Sequence, residues 1–236
     1  MPTVTFKAEA VPIPGSAGTG NILGAGATLE SEFKIKGSEY GGGPPPLLGV
    51  KVFLPVGTVL HTAGFPTCRR PLIEEGEPQK CPKRSAAGPP GEAKISVVLG
   101  DQRIPENLSI KGFYGTSGSL NFAVSGRSPV ALKLVARGRY ANLKGAGGSG
   151  PEAIFTMPLV STIPGARDAS TERIVTTLGS VIARRGKPIY SARMPHACPL
   201  KNLAFRAELT FAENGAATTP VTVPASYKAP CPRSRR

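Results

Sequence analysis

Four cysteines, Cys68, Cys81, Cys198 and Cys231, are the residues of this 236-residue chain best equipped for covalent chemistry. Four cysteines allow three pairings. Only Cys68–Cys81 with Cys198–Cys231 keeps each bridge inside one half of the chain. A metal knuckle asks for cysteines two to four residues apart, a spacing that does not occur here. The two histidines, His61 and His196, precede Cys68 and Cys198 by different intervals and repeat no ligand pattern. A nucleophilic cysteine served by a histidine and an Asn or Asp would leave three cysteines unexplained. Disulfides are therefore the expected chemistry, each stabilising a Gly-rich chain by roughly 3–4 kcal/mol on chain-entropy arguments. Paired cysteines imply an oxidising compartment, and hence export. Met1–Phe6 has no charged segment leading into an apolar run, so export is read from the cysteines and not from a leader.

Other reactive groups are few. Asp and Glu total 15, with Asp101 and Asp168 the only aspartates, and there is no Trp. Ser31-x-x-Lys34 matches an acyl-enzyme motif, but that chemistry needs a helix, and strand alternation puts residues three apart on opposite faces. Glu30 and Glu32 share one strand face and read as solvent-side charge. Glu74-Glu75-x-Glu77 lacks the Asp/Asn alternation of a Ca²⁺ loop. No phosphate-binding, zinc-protease or nucleophile-elbow pattern is present, and Gly18-x-Gly20 lacks the third glycine of a dinucleotide site. No cofactor and no metal ligand is expected. If the chain were a hydrolase, its carboxylates would come from residues such as Glu152, Asp168 or Glu208.

The net charge of +14 is unevenly spread, at +3 over residues 1–127 and +11 over residues 128–236. A basic half suits polyanions such as cell-surface glycans. Arg184, Arg185 and Lys187 form the densest internal cluster and are the expected contacts if such binding occurs. Arg233, Arg235 and Arg236 add charge at the tail. Aromatics at 6 % and the absence of RNA- or DNA-binding motifs argue against nucleic acid. GC-rich coding, which favours Arg, Ala, Gly and Pro, accounts for the same charge without function.

These side chains must be positioned by strands. Gly 29 and Pro 25 punctuate the chain, and no run of 18 apolar residues predicts a membrane helix. Alternation predicts strands over residues 4–11, 28–36, 48–54, 58–61, 93–99, 106–114 and 119–125. In the second half it predicts strands over 130–140, 153–160, 173–178, 189–194, 203–211 and 220–227. Residues 172–184 have no internal Pro, but Ile174-Val175-Thr176-Thr177 favours strand over helix. Only residues 81–87 suggest a helical turn. Phe65-Pro-Thr-Cys68 and Met194-Pro-His-Ala-Cys198 echo each other, and a Cys-Pro pair follows each, at Cys81 and Cys231. The expected architecture is all-β, with two tandem immunoglobulin-like β-sandwich domains and little helix. The N-terminal sandwich would span 1–127 and the basic C-terminal one 128–236.

Pro45-Pro46-Leu47-Leu48-Gly49, followed by Cys68 and then by Cys81-Pro82-Lys83-Arg84-Ser85-x2-Gly88, resembles a module of uncharacterised secreted β-rich proteins of high-GC actinobacteria. Val11-Pro-Ile-Pro-Gly15, Gly18–Gly24 and Pro230-Cys231-Pro232 are similar to the same proteins. The resemblance implies export and a β-rich fold, and it implies no activity. The sequence thus points to an exported, non-catalytic protein with a binding or structural role outside the cell or at its surface. A secreted glycan or cell-wall hydrolase and a polyanion-binding protein are the alternatives.

Overall fold

Alternation with period two decides nearly every element. In Thr3–Pro12 (β1), Phe6 and Ala8 are buried while Lys7 and Glu9 are exposed; in Ala27–Lys36 (β2), Leu29, Phe33 and Ile35 are buried opposite Glu30 and Lys34. The computed structural model describes residues 1–16, 22–99, 102–141, 150–161, 167–198, 201–213 and 216–231. The remaining strands are Leu47–Phe53 (β3), Val59–Leu60 (β4), Gly91–Leu99 (β5), Gln102–Tyr114 (β6), Ser119–Ser125 (β7), Lys133–Ala141 (β8) and Glu152–Thr156 (β9). Ser170–Leu178 (β10), Val181–Arg184 (β11), Lys187–Tyr190 (β12), Ala192–Arg193 (β13), Asn202–Glu213 (β14) and Ala216–Pro230 (β15) complete the set. Helix among the described residues is one short segment, Arg70–Glu74 (α1), with 3₁₀ turns at Pro78–Lys80, Lys83–Ser85 and Thr116–Gly118. The helical turn expected within 81–87 is the second of those turns, and residues 172–184 hold the end of β10 and the whole of β11, broken at Gly179-Ser180, with no helix.

Eleven strands form one sheet in the order β1-β2-β10-β5-β6-β7-β8-β9-β3-β14-β15, each neighbour antiparallel to the next. The edge strands β1 and β15 pack against each other, so the sheet is nearly closed on itself. This is the all-β class expected, but the division at residue 127 is not a division of the sheet. β10 lies between β2 and β5, and β3 lies between β9 and β14, so strands from both halves alternate around a shared core. Period-two patterning shows which face of a strand is buried. It does not show which strand lies beside which, and here the partners are often more than 100 residues apart.

The closure has a seam. With eleven strands alternating in direction, the two edges must run parallel to each other. Pro220, Pro224 and Pro230 of β15 all fall at even positions, so they lie on one side of the strand. A residue without an N–H costs the β14 ladder nothing only where it faces away from β14, which turns these prolines toward β1.

Both disulfides anchor segments to this wall. Cys68 is bonded to Cys81, with Cα atoms 5.2 Å apart, and packs with Ile73 and Phe113 in a small satellite core. Cys198 is bonded to Cys231, Cα atoms 6.2 Å apart, which ties the segment before β14 to the end of β15. Both Cα separations fall within the ordinary range for a disulfide.

Candidate ligand-binding site

An eight-stranded barrel is just wide enough for its own side chains to fill, and more strands leave room inside. Here the inward rows of β2, β10, β5, β6, β7, β8, β9 and β3 line a cavity of about 100 Å³. Phe33, Phe122 and Phe155 supply its aromatic surface, with Phe122 and Phe155 edge to face at 5.2 Å. Ala93, Ala136 and Ala153 sit in the same rows, and their short side chains leave the space unfilled. Ser31, Thr171 and Thr176 are the polar members of a lining that is otherwise apolar. At one end the lining runs through Met157–Val160, where Leu159 is 38 % exposed, and so reaches the surface.

The opposite end is shut. Tyr114 is fully buried, packs on Phe65 at 5.0 Å, and its hydroxyl lies 3.0 Å from Ser180 Oγ and 3.3 Å from the Ala87 carbonyl it donates to. Burial raises its pKa. The Cys68 amide donates to the Tyr114 carbonyl at 2.8 Å, so the first disulfide loop is pinned to this end of β6. At the open end, Arg103 gathers the Tyr40–Gly43 loop. It donates to Ser96 Oγ at 2.8 Å, Ser170 Oγ at 3.1 Å, the Gly41 carbonyl at 2.6 Å and the Tyr40 carbonyl. Tyr40 Oη accepts the Asp168 amide at 3.0 Å, and burial raises the pKa of the Asp168 carboxyl.

One group inside this wall is out of character. Glu106 occupies the same inward row of β6 as Leu108 and Ile110 and is 1 % exposed. Neither carboxylate oxygen has a hydrogen-bond partner. Burial pushes its pKa up; the nearby Val130 amide tempers the rise without meeting hydrogen-bond geometry. A methyl group added at Gly126 would overlap both this carboxylate and Leu108, which shows how closely the β7–β8 connection covers it.

The raised pKa fixes a sign. The folded chain holds the Glu106 proton more tightly than the unfolded chain does, so this residue's contribution is most favourable below the ordinary carboxylate pKa. It is lost as pH rises through the raised value. Glu106→Leu should therefore stabilise the protein at pH 7 by on the order of 1–3 kcal/mol, the cost of an unsatisfied buried polar group. The gain should shrink toward pH 4. Thermal melts of both forms across that range check it, and an equal or lower melting temperature for the variant at pH 7 would refute it.

The residues singled out in the sequence do not gather at this site. Ser31 lines the cavity, whereas Lys34 lies 3.6 Å from Glu32 on the outer face. Glu32 is held by Arg173 at 2.7 Å, and that hydrogen bond, ahead of the charges of Lys34 and Lys7, lowers its pKa. Glu74 pairs with Arg70 at 3.0 Å and Glu77 with Lys80 at 2.6 Å. No group of three His, Cys, Asp or Glu among the described residues is arranged to hold a metal ion. Asp168 lies at the open end, Glu152 opens β9 at the other end, and Glu208 pairs with Lys51 on the outer face at 3.7 Å. Arg184, Arg185 and Lys187 stand exposed at the tip of the β11–β12 hairpin, where Arg185 and Gly186 take φ of 52° and 74° in a two-residue turn. The basic tail 233–236, Asp101 and residues 17–21 of the Gly-rich loop lie outside the described residues. Glu106 escaped the sequence reading. Its signal was a carboxylate in register with Leu108 and Ile110 on an otherwise apolar row.

No family model, no curated protein and no solved structure matches the chain. The class is set by the fold and the site alone: a nearly closed antiparallel barrel with charge outside and an apolar cavity within. That is the reverse of a membrane-spanning barrel, whose outer face is apolar. Among the described residues no helix is long and apolar enough to cross a membrane.

Proposed function

We propose that this chain is an exported, non-catalytic binding protein whose ligand is a small apolar molecule held inside the barrel. The observation that carries this reading is the cavity itself, a concave apolar space bounded by eight inward rows and reaching the surface at Met157–Val160. Ligand sites are typically concave, mainly apolar, and equipped with few polar groups. The space is smaller than the 150 Å³ engineered cavity that stays dry and takes up benzene or xenon, so the ligand portion inside must be compact. Two disulfides and the resemblance to secreted actinobacterial proteins support export. The hydrolase alternative needs two carboxylates facing one cleft, and Glu152, Asp168 and Glu208 occupy three separate places. The polyanion alternative has three exposed cations on one hairpin tip.

Xenon binding, followed by ¹²⁹Xe and amide chemical shifts, tests the site. Shifts should concentrate on Phe33, Phe122, Phe155 and their strand neighbours. Ala136→Leu, which places a larger side chain into the space, should abolish them while keeping a cooperative melt. The extra methylenes should cost no more than the roughly 1–3 kcal/mol typical of overpacking. Xenon shifts that persist unchanged in this variant would place the binding elsewhere.

A further inference from the structure

One stretch of the inner wall is built differently from its neighbours. Phe6, Phe33 and Ile174 are cross-strand partners in one inward row across β1, β2 and β10, and Leu29 and Leu178 are partners in another. Between these rows stand Ala8, Ser31 and Thr176, in register on the same face. Gly91 of β5 lies against Thr176 and brings no side chain. The wall is therefore shallow here, and it carries two hydroxyls. Ser31 and Thr176 both line the cavity and remain partly accessible. Cross-strand Ser and Thr commonly hydrogen-bond to each other. Among the described residues these two hydroxyls bond neither to each other nor to any other group. Thr176 also lies toward the shut end of the cavity. Gly179, three residues on, donates at 2.7 Å to the Ala87 carbonyl, the same oxygen that receives the Tyr114 hydroxyl.

We infer that the ligand of this site is a compact, uncharged molecule ending in an oxygen acceptor, as in a small ketone, and that this oxygen is received by the Ser31 and Thr176 hydroxyls. The inference rests on the binding reading above and adds the head group to it. Two adjacent hydroxyls supply two donors, and a carbonyl oxygen has two lone pairs to accept them. A carbonyl also brings no donor of its own, so it leaves nothing unpaired in an apolar space. Charged head groups fit poorly. An ion is costly to bury without an opposite charge, and no charged side chain belongs to the lining among the described residues. A pure hydrocarbon would fill the space but leave both hydroxyls without a partner, which costs free energy once water is displaced. Since the lining meets solvent at Met157–Val160, the oxygen enters first and the apolar part trails toward the opening.

The test uses the full chain with 2-butanone, its hydrocarbon isostere 2-methyl-1-butene, and xenon. On the wild-type protein, nuclear Overhauser contacts should run from the ketone methyl beside the carbonyl to the side chains of Ser31 and Thr176. Amide-shift titration gives the affinity of the ketone relative to the alkene. Ser31→Ala and Thr176→Val each remove a hydroxyl with little change in volume. Each should lower that ratio by about fivefold, the loss of one hydrogen bond of ordinary net strength, and the double variant should lower it at least tenfold. Because the contacts are read on the wild type, the result does not depend on the variants folding. Ketone contacts elsewhere in the cavity, or an unchanged ratio in a folded variant, would overturn the head-group assignment and leave the apolar site standing. Xenon binding without ketone binding would do the same. Failure of all three probes to bind would overturn both.

Discussion

Residues 1–127 expressed alone should give no cooperative melt. This segment contains β1 to β7, but in the sheet β10 bridges β2 and β5, and both partners of β3 lie beyond residue 127. What remains is the β1–β2 hairpin, the β5–β6–β7 meander and an unpaired β3, with no ladder joining them. The inward faces of Leu29, Phe33, Val50 and Ile110 would lose the opposing rows of β8, β9, β10 and β14 and meet water. Isolated hairpins are marginal in water, and three strands need a covered apolar face to persist. Circular dichroism with temperature and an exposed-hydrophobe dye would read the outcome. A sharp, reversible transition for the fragment would show that the first half carries its own core.

Phe33→Ala should destabilise the folded chain by about 3–5 kcal/mol, the usual range for deleting a buried Phe side chain. Phe33 is 1 % exposed and stacks on Phe6, its cross-strand partner, with ring centroids 4.8 Å apart and planes 4° from parallel. The loss has two parts: the transfer of the ring out of its apolar surroundings, and the void left behind. Collapse should recover little of the second part, because β1 and β10 are fixed on either side of β2 by continuous ladders. The void would also merge with the existing cavity, since Phe33 already lines it. Chemical denaturation should thus show a lower midpoint with an unchanged slope. The same variant should accept a bulkier probe such as benzene. A loss below about 1 kcal/mol would mean that the wall relaxes inward, contrary to a rigid barrel.

Much of the local structure was legible in the residues. Leu29, Phe33 and Ile35 against Glu30 and Lys34 give both the strand and its buried face. The β-branched run at 174–177 correctly separates strand from helix. The bridges Cys68–Cys81 and Cys198–Cys231 followed from keeping each pair local. α1 was missed because Arg70-Pro71 reads as a turn, and five residues carry too little periodicity to register. The arrangement of strands was not legible, since β2 meets β10 across about 140 residues and no short-range signal encodes that pairing. The cavity was invisible for a related reason: Ala93, Ala136 and Ala153 look like ordinary strand positions until the rows that face each other are known.

The seam between β1 and β15 has a kinetic meaning. Any other gap in the wall would require a run of backbone hydrogen bonds to break at once. At this junction no ladder joins β1 to β15 in the sheet order, and Pro220, Pro224 and Pro230 leave that edge of β15 with N–H groups at only three of the six even positions from 220 to 230. Amides along the outer edge of β1 should therefore exchange with solvent ahead of those in β6 or β14. Edge strands ordinarily invite a second chain to add itself to the sheet, and the same three prolines halve the donors an incoming strand would find between residues 220 and 230. The barrel can thus breathe along one line that makes a poor template for a second chain.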